Sequence, residues 1–132
     1  MDLRRLTLYI TRTRVGLGLV MLASPRLGFG PLYGADDVTR PGAAAVGRMM
    51  GAREVVLGAG AAIAVGERRG SANWVSMIAV ADGLDAVVNL TTRRLPWRAR
   101  VLGVLAAGSS VAHLVLAKRL AAEVDVDAAP IG

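Results

Sequence analysis

The chain has no cysteine, one histidine (His113), one lysine (Lys118) and one phenylalanine (Phe29) in 132 residues. Without sulfur at cysteine there is no disulfide framework, no thiolate metal site and no thiol nucleophile. A lone histidine removes the usual nitrogen and sulfur ligand set of zinc, so no metal is expected. Charged residues are also sparse, at 20%, below the roughly 25% of an ordinary soluble domain. What fills the chain instead is apolar and small. Apolar residues make up 54% and glycine contributes 16 positions, with a mean hydropathy of +0.49. That composition excludes disorder for most of the chain, and the length allows one domain. The net charge of +6 could mark a nucleic-acid binder. The arginine clusters, however, lack interleaved aromatics, so they suit anionic lipid headgroups better, and no nucleic-acid partner is expected.

Apolar stretches fall at about 6–23, 43–65, 72–90 and 101–117, separated by short polar, Gly/Pro- or Arg-containing breaks. Each approaches the ~20 residues that cross a hydrocarbon core at about 1.5 Å per residue. None has a polar face wide enough for a water-exposed helix. The sequence therefore predicts an all-α, four-helix transmembrane bundle over 1–120, with membrane lipids as its surroundings. An acidic, flexible tail is expected over 121–132. The first stretch is short unless it runs back through Arg12 and Arg14, which a helix end tolerates when the long side chains snorkel. An interfacial amphipathic segment over 2–14 and a cleavable leader are the alternatives; a retained helix is favoured. Residues 26–42, rich in Gly, Pro and Asp, read as a loop, with Pro41 opening the second helix. Gly66–Gly70 (GERRG) reads as a tight turn.

Tyr9, Tyr33, Trp74 and Trp97 fall at the expected helix ends or connections, where amphipathic rings favour the headgroup zone. Eight basic residues collect on the side of the termini against six on the other. The positive-inside rule then favours both termini in the cytoplasm of a plasma-membrane protein, while the TTRRLPWRAR loop, the densest basic cluster, argues for the opposite orientation.

The informative charges are those inside the spans: Arg48, Arg53 and Glu54 in the second, Asp82 and Asp85 in the third. Each costs roughly 2.5–3.5 kcal/mol at mid-bilayer even on the lenient insertion scale, so each needs a partner or a cavity. Asp82, Asp85 and Asn89 share one helical face at i, i+3, i+7. Arg53 and Asp85 lie at matching depth, about 20 Å from the GERRG turn, and are the pair expected to meet. Glu54 sits close by, and Arg48 falls level with Asn89 or reaches the interface. The network is either a packing device or a path for protons, ions or headgroups. No catalytic residue is singled out, because two carboxylates alone show neither a raised pKa nor a substrate cavity.

Gly47-Arg-Met-Met-Gly51 is a GxxxG, and its small face continues through Gly58, Ala62 and Gly66. Such a stripe lets helix backbones approach closely, within the chain or with a partner. His113 reads as a hydrogen-bonded interhelical residue, with a proton carrier or haem ligand as the other options. Gly58-Ala-Gly60 lacks the third glycine and the preceding strand of a dinucleotide fingerprint, so no cofactor is expected.

The run RMMGAREVVLG from Arg48 to Gly58, followed by the Asp82 and Asp85 pair, resembles a family of small actinobacterial four-helix membrane proteins of unknown function. The segment LGLVMLASPRLGFGPLYG is similar to that family's first helix and loop. The shared pattern is R-x-x-G-x-R-[DE]-x-x-L-G and then D-x-x-D, matched here by Arg48, Gly51, Arg53, Glu54, Leu57, Gly58, Asp82 and Asp85, within a resemblance over about 6–117. Proteins of this kind are similar to accessory subunits of actinobacterial envelope assemblies such as the MCE lipid-import transporters.

The resemblance implies a non-enzymatic accessory or stabilising subunit, partnered by the membrane subunits of a larger complex. A small proton, ion or lipid transporter, or a quinone-linked four-helix oxidoreductase component, are the competing expectations.

Overall fold

A computed structural model describes residues 2–127, the side chains of 124–127 excepted. Among the described residues the chain is all helix, with no strand: α1 (Leu3–Ala23), α2 (Pro25–Tyr33), α3 (Ala35–Thr39), α4 (Pro41–Gly66), α5 (Ser71–Thr91) and α6 (Trp97–Asp127). Four of them, α1, α4, α5 and α6, are long and apolar enough to cross a membrane. They are compatible with a multi-pass membrane protein.

Each boundary has a local cause. Asp2 caps α1 through the amide of Arg4. Ser24 ends α1 and caps α2, whose first residue is Pro25, a ring already set for the first helical turn. Pro41 opens α4 in the same way. Gly70 starts α5 in the left-handed region, and the Ser71 hydroxyl donates to the Ala64 carbonyl across the turn at 3.0 Å. That turn makes α4 and α5 antiparallel neighbours.

Two expectations are corrected here. Residues 26–42 are not an open loop: they fold into α2, α3 and the first two residues of α4, because the Ser24–Pro25 start outweighs the glycines and the interior Pro31. The acidic tail does not begin at 121 either, since α6 continues to Asp127 and Glu123 pairs with Arg4 of α1 at 3.2 Å. That ion pair also puts the start of α1 and the far end of α6 on the same side of the bundle. Residues 128–132 lie outside the described residues.

The bundle is built from two tight pairs, α1 along α4 and α5 along α6, which meet mainly where α4 faces α5. The α1–α4 pair is close because glycines face each other. A Cβ on Gly18 would stand 2.7 Å from the Gly51 carbonyl oxygen, and one on Gly58 would stand 2.8 Å from that of Thr11. The stripe Gly47, Gly51 and Gly58 is thus spent inside the chain, on α1 and α2; Ala62 is half-buried beside it, and Gly66 is exposed. Between the open edges of the two pairs, α1 scarcely touches α6.

Burial runs opposite to that of a water-soluble protein. Leu19, Val56, Val80, Val87, Leu105 and Val111 lie exposed, while Thr7, Thr11, Glu54, Asp82, Asn89 and His113 are buried. Apolar exterior of this extent needs a hydrocarbon or protein environment. The aromatic residues are less uniform than their sequence positions suggest. Trp97 is exposed at the start of α6, and Tyr9 is exposed well inside α1. Trp74 lies on Gly60, and Tyr33 turns inward.

Candidate functional site

The buried and half-buried charges gather near the middle of the long helices, where the two pairs face one another. Arg53 on α4 meets Asp85 on α5 through both carboxylate oxygens, one contact at 3.0 Å. This is the pairing that matched depth predicts. Glu54 is the hub: its Oε1 accepts from Arg53 and from Arg14, each at 3.1 Å. Asp82 accepts from both terminal nitrogens of Arg14, one at 3.1 Å, and from the Ser109 hydroxyl of α6 at 2.7 Å. His113, also on α6, holds Nδ1 2.8 Å from the Ser109 carbonyl and 3.4 Å from Asp82. All four long helices therefore contribute to one polar cluster.

Arg14 is the member that sequence reasoning missed, having been assigned to a snorkelling helix end. Its side chain is only 12% exposed, whereas that of Arg53 is 35%. A signal was present: Thr7, Thr11, Arg14 and Gly18 are spaced i, i+4, i+7, i+11, one face of α1. Thr7, Thr11 and Gly18 on that face are buried. On a helix that leaves Leu17, Leu19 and Val20 exposed, the small and polar stripe is the interior one. The two threonines hide their hydroxyls by donating to carbonyls one turn back, at 2.8 and 3.0 Å.

Two expected members sit apart from the charges. Arg48 is exposed and lies beside the α1–α2 corner, so it does not join the network. Asn89 is buried but neutral in its bonds: its Nδ2 donates to the Asp85 carbonyl at 2.8 Å, and its Oδ1 accepts from the Tyr33 hydroxyl. Tyr33 thereby ties α2 to α5, and burial, with the Asp85 charge adding to it, raises its phenol above the ordinary value. Phe29 lies edge-on to Tyr33 and helps seat α2 against the bundle.

The cluster floors a cleft of about 530 Å³ between the two pairs. Its walls are apolar, with Ile10, Leu17 and Met21 from α1 facing Leu102, Leu105 and Ala106 from α6. Its floor holds Arg14, Arg53, Glu54, Asp82, Asp85 and His113. The volume lies within the roughly 300–1,000 Å³ of small-molecule sites. The cleft follows from the bundle's construction: glycines draw α1 onto α4 and leave α1 apart from α6. Among the described residues no cluster of histidine and carboxylate side chains has the form of a metal site. No protein-family model, curated protein or solved structure matches the chain.

Proposed function

We propose that this is a multi-pass protein of the plasma membrane that takes a membrane-dissolved amphiphile into the cleft between α1 and α6. The polar head meets the charged floor, and the tail lies along the apolar walls. The observation that supports this reading is the joining of both surfaces in one cleft on the edge where the helix pairs stay apart. The test is native mass spectrometry of the protein extracted from its own membranes in mild detergent. Wild type carries an amphiphile that the cleft-filling variant Ala106→Trp loses. Identical bound lipids on both proteins contradict the reading. The proposal includes no reaction of the protein's own and places both termini in the cytoplasm, on the more basic side.

A second reading is favoured by the ion pairs that every carboxylate of the cluster makes within the chain. Such internal pairing is what a packing device requires, and such a device suits an accessory or stabilising subunit of a larger envelope lipid-transport complex. The glycine stripe no longer supports a partner contact, because α1 and α2 occupy it. Co-purification of a tagged copy with larger membrane subunits supports this reading, and recovery of the chain alone opposes it. A quinone found in the purified protein would instead place it with quinone-linked membrane components.

A further inference from the structure

Around the cleft three carboxylates, Glu54, Asp82 and Asp85, face two guanidiniums, Arg14 and Arg53. With a neutral imidazole at His113 the cluster keeps one uncompensated negative charge. The state of the ring is fixed at one nitrogen. Nδ1 stands 2.8 Å from the Ser109 carbonyl, which can only accept, so Nδ1 carries the hydrogen. In the neutral ring Nε2 is then a bare acceptor. It is buried and finds no partner among the described residues, on a side chain only 6% exposed that lines the cleft. Burying an unpaired charge and an unfilled acceptor is unfavourable. Arg53 Nε is also buried without a hydrogen-bond partner, but it is a donor on a guanidinium already paired with Asp85 and Glu54. The charge excess and the empty acceptor are both removed by one ligand group, a cation that carries N–H donors.

We propose that the cleft selects an amphiphile with a singly charged ammonium head, which donates to His113 Nε2 and balances the excess carboxylate. This rests on the amphiphile-binding reading above and narrows it to a ligand class. A zwitterionic phospholipid leaves the charge excess in place, a fatty acid adds to it, and a neutral alcohol fills only the acceptor. A quaternary ammonium balances the charge but has no N–H to give. A proton on Nε2 competes with the ammonium, since it neutralises the cluster and turns the acceptor into a donor. The groups that set this competition are Ser109 on the same helix, Asp82 facing from α5, and Arg14 of α1 with Glu54 of α4 behind it.

The experiment uses the full chain in phosphatidylcholine nanodiscs and four probes of equal chain length: dodecylamine, dodecanol, dodecanoate and dodecyltrimethylammonium. The amine is expected to bind at least about tenfold more tightly than the other three, the scale of one buried charged hydrogen bond. His113→Phe abolishes its advantage over the quaternary ammonium. Alcohol or carboxylate binding equal to that of the amine overturns the inference and leaves amphiphile binding standing. Failure of all four probes to bind overturns both. Should His113→Phe not fold, the wild-type comparison decides alone: equal binding of primary and quaternary ammonium removes the hydrogen bond to Nε2.

Discussion

Arg14 and Asp82, 68 residues apart, meet through two hydrogen bonds between guanidinium and carboxylate near the middle of the bundle. The same guanidinium reaches Glu54, so one side chain of α1 holds both helix pairs together. Replacing Arg14 by Met leaves two carboxylates buried without their main partner. Breaking a buried pair on one side costs about 3–5 kcal/mol, so the variant unfolds at markedly lower temperature in detergent. Arg14→Lys gives little rescue, because a point ammonium cannot span two carboxylates as the planar fork does. Arg12→Met, at an exposed position on the same helix, leaves the unfolding temperature unchanged.

The paired and unpaired arginines of α4 differ in the same assay. Arg53→Gln strips Asp85 of its partner and destabilises the fold, whereas Arg48→Gln has no measurable effect. Equal losses from the two substitutions would show that Arg48 belongs to the network after all.

Close approach of α1 and α4 depends on having no side chain at their contact. Gly18→Val forces atoms against the Gly51 carbonyl and the Glu54 side chain, and overpacking of this kind costs about 1–3 kcal/mol or more. Gly16→Ala, which meets nothing within 4 Å, is expected to be neutral or slightly stabilising through helix propensity. Thermal unfolding of the two variants side by side separates packing from propensity.

Tyr33→Phe removes the hydroxyl that Asn89 accepts and loosens α2 from α5, for a loss of about 1 kcal/mol. The phenol also carries a pH signature. Its folded pKa lies above the ordinary 10, through burial first and the Asp85 charge second. The unfolded chain therefore gives up this proton first. The tyrosine's contribution is complete below pH 10 and is lost as the pH rises toward the folded value. A difference ultraviolet titration of wild type against Tyr33→Phe is expected to place this phenol above 10; a midpoint at or below 10 contradicts the burial.

How much of this was legible before the fold is a matter of particular residues. Arg53 and Asp85 could be paired because a tight turn fixes the depth of both neighbouring helices, so counting residues from GERRG suffices. Arg14 could not be paired that way: no short turn joins α1 to α4 or α5, and a helix-end arginine has a ready alternative in snorkelling. The threonine-and-glycine face of α1 held the information, and it was hidden because an apolar helix is usually read by its apolar positions. The region 26–42 was obscured by its glycines and prolines, although Ser24–Pro25 spells a helix start. The inward turn of Tyr33 had no sequence signal, since its partner Asn89 lies 56 residues away.

Whether the cleft above the charged cluster opens to lipid is directly measurable, because the chain has no cysteine. A single spin label at Ala106→Cys, on the α6 wall, is to be read in nanodiscs by relaxation with oxygen and with a water-soluble nickel chelate. Strong oxygen and weak chelate contact are expected, as in hydrocarbon, with both falling when a long-chain amine fills the cleft. Strong chelate contact, equal to that of a label at the loop residue Arg93, would show a water-filled site and contradict a cleft open to lipid.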